Sequence, residues 1–158
     1  MTANQAELGD LYQEIILEHS KAPRNFRKPP SATQEAEGFN PLCGDRCTVY
    51  INMDGDAIRD IGFQGSGCAI SRASASMMTQ ILKGKTRTEA VALFDQFHKL
   101  VTGEEKTVAK ASDLGKLAAF AGVSKFPARV KCATLAWHTL QSALDDKREG
   151  KQAPVSTE

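Results

Sequence analysis

Four cysteines and one aspartate set the strongest constraint on this chain. Cys43, Asp45 and Cys47 crowd into NPLCGDRC, residues 40–47, while Cys68 and Cys132 lie far off in sequence. GSGCAIS, residues 65–71, places Cys68 behind a glycine-rich turn at the start of a predicted helix over 69–83. Pro127 opens a second helical pattern over 128–147, which puts Cys132 in its first turn. At a helix start the unpaired amides and the dipole favour an anion, a setting that suits a thiol acting as ligand or nucleophile. The pattern predicts a fold that brings Cys43, Asp45, Cys68 and Cys132 to one point.

The rest of the composition narrows the class. A chain of 158 residues, 41% hydrophobic and 25% charged, is expected to fold as one soluble domain over 1–148 with a flexible polar tail over 149–158. A net charge of +1 gives no field that would select nucleic acid. No apolar run reaches the roughly 20 residues of a membrane span. The first residues show no basic segment followed by an apolar one. The expectation is a cytoplasmic protein with no membrane partner. In such a compartment four cysteines are not a disulfide framework.

The coarse element reading is α+β. Residues 6–20 form an amphipathic helix stopped by Pro23, with His19 as a capping or packing residue at its end. Residues 21–32 are basic and proline-rich, an irregular connection that is solvated or serves as a docking surface. Strands are predicted over 33–38, 47–53 and 57–64, with Asp54-Gly55-Asp56 as a hairpin turn that lacks the further ligands of a calcium loop. Another helix is expected over 87–101, with Val91, Leu93, Phe94, Phe97, Leu100 and Val101 inward and His98 on the surface. A short helix is expected over 113–120. In the last helix Cys132, Leu135, Ala136, Thr139, Leu140, Ala143 and Leu144 make one broad face, with Trp137 and His138 on its flanks. The sum is a small, mostly antiparallel three-stranded sheet packed against about five helices, largely on one side.

Tetrahedral zinc takes four donors of this type. One set is Cys43, Cys47, Cys68 and Cys132; the other replaces Cys47 with Asp45. Spacing leaves both open. Cys47 begins a strand, where the pleat fixes its side chain, and it reads well as a small core residue. Asp45 sits in the turn and is freer to swing inward. One hard oxygen among soft sulfurs weakens the hold on zinc or iron, which suits a site that passes something on. The glycine turn before Cys68 lacks the Lys-Ser/Thr ending of a phosphate loop. A hydrolytic zinc enzyme would need a general base, and Asp45 is the only obvious carboxylate.

NPLCGDRC, GSGCAISRASASMM and ARVKCATLAWHTL resemble the three signature blocks of the U-type iron–sulfur assembly proteins (SufU, IscU and the NifU N-terminal domain). LYQEIILEHSKAPRNF resembles their opening helix, so the likeness runs from about Leu11 to Leu144. It is strongest to the SufU branch: Lys131 stands where the IscU branch usually has a histidine, and Arg129 matches an arginine typical of SufU. The resemblance implies a SufE/NifU-like fold and zinc held by Cys43, Asp45, Cys68 and Cys132. It implies sulfurtransferase-type action, with Cys43 accepting persulfide sulfur from a SufS-type cysteine desulfurase and Arg129 stabilising the freed thiolate or Asp45. Other iron–sulfur assembly proteins are further implied partners. The alternatives are a scaffold for a labile [2Fe–2S] cluster and a zinc-stabilised adaptor without catalytic action. Cys47 departs from the family pattern, which has an apolar residue there.

Overall fold

The computed structural model describes residues 13–30, 32–41, 44–102, 126–145, 150–151 and 155–156, with Leu117, Ala119, Phe120 and Val123. Three strands form its antiparallel sheet: β1 (Gln34–Asn40), β2 (Asp45–Asp54) and β3 (Ala57–Ser66). Alternation in β2 sends Cys47, Val49 and Ile51 into the core and Arg46 and Thr48 away from it. A two-residue loop, Gly55-Asp56, joins β2 to β3, and Gly55 adopts φ +61° as a primed hairpin turn requires. Within the stretch expected to be a flexible tail, β4 (Gly150–Lys151) and β5 (Val155–Ser156) pair in parallel with β1.

Four helices are seen among the described residues: α1 over 13–21, α2 (Ala69–Leu82), α3 (Arg87–Thr102) and α4 (Pro127–Asp145). The predicted short helix over 113–120 lies mostly outside the described residues, and four helices stand against the five or so expected. Thr86 and Glu89 close a capping box at the start of α3, each side chain accepting the other's backbone N–H. No described helix is long and apolar enough to cross a membrane.

The two helices that carry the cysteines are covered on most of their circumference. In α2 the small residues Ala73, Ser74, Ala75 and Ser76 are all buried, while Ile70 and Ile81 are only partly so. α4 packs against α2 and against β1, where Gly38 admits Thr139; a Cβ at Gly38 would clash with the Thr139 hydroxyl. Trp137, expected on a flank of α4, is fully buried. Its ring stacks on Phe97 at 4.8 Å between centroids, and its indole N–H donates to Ser74 Oγ at 3.2 Å. A one-face periodicity reading fails here because sheet and helices enclose α4 on several sides.

Three surface expectations also change. Val91 is exposed, and Ala90 takes the buried position on α3. His98 is half-buried, its ring 6.1 Å from that of His138 and 6.1 Å from Phe94. Burial, and then the charge of His98, lower the pKa of His138. The proline-rich connection is irregular but anchored: Arg24 N–H donates to Ser76 Oγ, Asn25 Nδ2 to Thr79 Oγ1, and Phe63 N–H to the Asn25 carbonyl. His19 packs as expected, buried with Nδ1 2.7 Å from Ser76 Oγ.

Trp137 links α3, α4 and α2, so Trp137→Ala is expected to cost about 3–5 kcal/mol. Denaturant unfolding followed by far-UV circular dichroism would read this as a lower midpoint. An unchanged midpoint would mean that the aromatic stack contributes little.

Candidate metal centre

The site lies where β2 begins and α2 begins. β2 starts two residues earlier than the sequence predicts, so Asp45 is its first residue rather than part of a free turn. Asp45 is only 3% exposed. Before it, Gly44 takes φ +77° and donates its N–H to the Asn40 carbonyl at 2.8 Å, which closes the turn between β1 and β2. Cys43 lies outside the described residues.

Cys68 is the N-cap of α2, as its place behind a glycine turn predicts. Its Sγ accepts from Ser71 N–H at 3.5 Å. Its own N–H donates to Asp45 Oδ1 at 3.0 Å, and its Sγ lies 3.5 Å from Asp45 Oδ2. Cys132 reaches the same point from α4, where it stands in the second turn rather than the first and is buried. The donor atoms of Asp45, Cys68 and Cys132 all lie within 4.8 Å of one another. Among the described residues this is the only such group of three or more His, Cys, Asp or Glu side chains.

The donors fit a thiophilic divalent ion. Around tetrahedral zinc, sulfur and oxygen donors sit roughly 3.3–3.8 Å apart. The Asp45–Cys68 pair already has that spacing, and the whole trio needs only a small closure. Two thiols with one carboxylate favour zinc or iron over calcium or magnesium. A fourth donor completes a tetrahedron. Cys43 precedes Asp45 by two residues, so the chain keeps their Cα atoms within about 7 Å.

Cys47 is not part of this group. It faces the core from β2, 4% exposed, and burial pushes its thiol up to about 12. It behaves as the small core residue that its strand position suggests. Arg129 lies in the first turn of α4, one turn before Cys132, with its guanidinium 4.7 Å from the centre of the Phe126 ring.

Gly67 escaped the sequence reading. A Cβ at Gly67 would stand 3.0 Å from Asp45 Oδ1 and 3.2 Å from Ser71 Oγ, so this position keeps room for the carboxylate. Gly65, at φ +145°, lets the end of β3 close on the Arg46 backbone. The GSG run before Cys68 was the available signal. It reads as a generic turn until the carboxylate that it must accommodate is known.

Residues 11–133 match the model of the NifU-like N-terminal domain. The chain belongs to that family. It is 43% identical over 145 residues to the zinc-dependent sulfurtransferase SufU of Bacillus subtilis, covering 92% of this chain and 96% of that one. It is 42% identical over 139 residues to the iron–sulfur cluster assembly scaffold protein IscU of Streptococcus pyogenes, covering 88% and 86%. Its fold matches a Fervidobacterium islandicum structure described as a scaffold protein for the SUF system, with TM-score 0.76, 39% identity, and 83% and 94% coverage. A NifU-like N-terminal domain from Brucella abortus shares the fold at TM-score 0.75 and 21% identity, with 87% and 94% coverage.

Two outcomes follow. Gly67→Ala is expected to retain the fold yet hold metal about tenfold less tightly, since the added methyl displaces one donor; chelator competition with far-UV circular dichroism on the same sample reads both. For Cys47, the folded thiol titrates near 12 against a reference of 9.0, so its neutral form is the one that folding favours. That contribution is complete below about pH 9 and is lost as pH rises toward 12. Cys47→Val should therefore flatten the fall in unfolding midpoint above pH 9 without changing metal content. Metal loss in this variant would return Cys47 to the ligand set.

Proposed function

We propose that this protein serves iron–sulfur cluster assembly as a zinc-dependent sulfurtransferase, accepting persulfide sulfur from a cysteine desulfurase. The observation that carries the reading is the convergence of the Asp45 carboxylate with the Cys68 and Cys132 thiols. The similarity to SufU over 92% of the chain supports it. Asp45, Cys68 and Cys132 would hold the ion with Cys43 as fourth donor. Bound Zn2+ supplies a positive centre that keeps its thiolate ligands deprotonated and protected from oxidation.

The chain's own groups do the rest. The Cys68 amide fixes Asp45 through Oδ1 and leaves Oδ2 facing the thiols. Burial of Asp45 and Cys132 limits water on one side, while Cys68 remains exposed on the other. Cys43 is the acceptor in this reading. Its thiolate attacks the terminal sulfur of the donor persulfide. A Cys43 S–S bond forms, the donor S–S bond breaks, and the electron pair leaves on the donor's thiolate. No external oxidant is needed, and the proton stays on the transferred sulfur. Arg129, one turn before Cys132 on α4, would steady the charge on the released thiolate.

A second reading has its own support. The IscU relative, at 42% identity, is named a scaffold. On that reading the same donors hold a nascent [2Fe–2S] cluster. Lys131 counts against it, because a lysine ammonium is not a ligand in place of histidine.

The test is alanine release by the cognate cysteine desulfurase, with metal assayed on the same samples. Stoichiometric zinc, strong stimulation and its loss in Cys43→Ala are expected, with Asp45→Ala reducing both zinc and stimulation. Iron with acid-labile sulfide and no stimulation would favour the scaffold. Zinc with no stimulation would leave a structural adaptor.

A further inference from the structure

The end of the sheet far from the metal centre breaks register. Asn52 pairs with Asp60 and Met53 with Ile58, so Arg59 stands opposite no residue of β2. This is a β-bulge, a device that bends a strand and re-aims a side chain. It lets Ile58 and Ile61, three positions apart, both lie fully buried, where strict alternation would send one outward. It also leaves Arg59 and Asp60 consecutive and off the core. With Thr33, Asn52 and Lys83 they line a groove of about 560 Å³. Asn52 is seven residues along β2 from Asp45, which puts the groove roughly 23 Å from the metal centre.

The charges of this groove do not balance. Asp60 is engaged on both oxygens. Arg27 Nη2 donates to each of them at 3.1 Å, Lys83 Nζ lies 3.3 Å from Oδ1, and the Ile61 N–H donates to Oδ1 at 2.9 Å. Burial alone would raise the Asp60 carboxyl, but these partners outweigh it and hold its pKa below the ordinary value. Asp60 is thus an anion at neutral pH. Against this single carboxylate stand Arg27, Arg59 and Lys83, an excess of two positive charges. The Arg59 guanidinium and the Asn52 side-chain amide have no hydrogen-bond or ion-pair partner among the described residues, whereas Arg24, Arg27 and Arg87 are all paired.

We propose that this groove binds a small-molecule phosphate monoester as its dianion, held by Arg59, Asn52 and Lys83. The site is independent of the sulfur-acceptor reading. A phosphate monoester carries close to two negative charges at neutral pH, which matches the excess in the groove, and it presents three strong acceptor oxygens. The forked N–H edge of Arg59 suits two of those oxygens at once. The Asn52 amide donates without adding charge, and the Lys83 ammonium, already beside Asp60, adds a point charge. The Thr33 hydroxyl is committed to the backbone of β2, taking the Met53 N–H at 3.1 Å, and so shapes the wall. A groove of this volume falls within the range of small-molecule sites and leaves room for the organic part of an ester. The chain's net charge of only +1 provides no wider field for a polyanion.

The test uses the full chain with zinc bound, titrated by calorimetry at fixed ionic strength. The probe is glycerol 3-phosphate, with inorganic phosphate and succinate as comparators. Succinate also carries two charges but divides them between its ends, so it separates phosphate recognition from charge alone. Glycerol 3-phosphate is expected to saturate a single site, and succinate to bind at least about tenfold more weakly. Arg59→Gln should weaken glycerol 3-phosphate at least about tenfold, and Asn52→Ala about threefold. Asp60→Asn removes the one negative charge of the groove and should tighten binding severalfold. Arg87→Gln is the control, since Arg87 pairs with Asp56 outside the groove, and should leave affinity unchanged. Zinc content and the unfolding midpoint are read on every variant, and both should match wild type in Arg59→Gln.

Wild-type affinity in Arg59→Gln overturns the site, and so does equal affinity for succinate. Weaker binding by Asp60→Asn at a native unfolding midpoint overturns the charge balance on which the site rests. Absence of saturable glycerol 3-phosphate binding up to about 10 mM overturns it outright.

Discussion

The amide of Cys68 donating to the carboxylate of Asp45 joins the first residue of β2 to the N-cap of α2. Much of the site depends on that bond. It draws a buried carboxylate out of its water shell and returns one hydrogen bond in exchange, which a carboxylate in a partly apolar setting needs. It orients one oxygen away from the thiols and the other toward them. It also fixes where the helix starts relative to the sheet. The same few atoms therefore serve the fold and the chemistry.

The core supplies the third direction. α4 must deliver Cys132 to a point defined by β2 and α2, and it is held from several sides at once. Gly38 lets it approach β1, Ser74 accepts the indole N–H of Trp137, and Phe97 stacks beneath the same ring. The polar atoms within this packing are paired: Ser74 donates to the Ala133 carbonyl while accepting from Trp137. Two helices and one strand contribute one donor each, so no donor can shift without moving an element anchored elsewhere.

Much of this was legible from residues alone. Period-two alternation located β2 and β3, the glycine turn marked Cys68 as a helix start, and Pro127 marked the start of α4. The choice between Asp45 and Cys47 was not legible from spacing, because both lie within reach of Cys43. It turned on where β2 begins, and strand ends are set by pairing with β1 rather than by local preference. Trp137 and Val91 were misplaced for a related reason. Periodicity finds an apolar stripe but cannot count how many neighbours surround a helix. Gly67 was invisible because its role is to leave space for a side chain more than twenty positions earlier.

β2 alternates at the site end: Asp45 faces the thiols, Arg46 the opposite side, and Cys47 the core. A slip of one residue would exchange these directions. A guanidinium would then stand where the carboxylate belongs, repelling a cation that the correct pairing attracts. Strand register is thus written into the electrostatic sign of the cavity. Molecules that mispair β1, β2 and β3 would expose their error through what they fail to bind, well before any difference in secondary-structure content could reveal it.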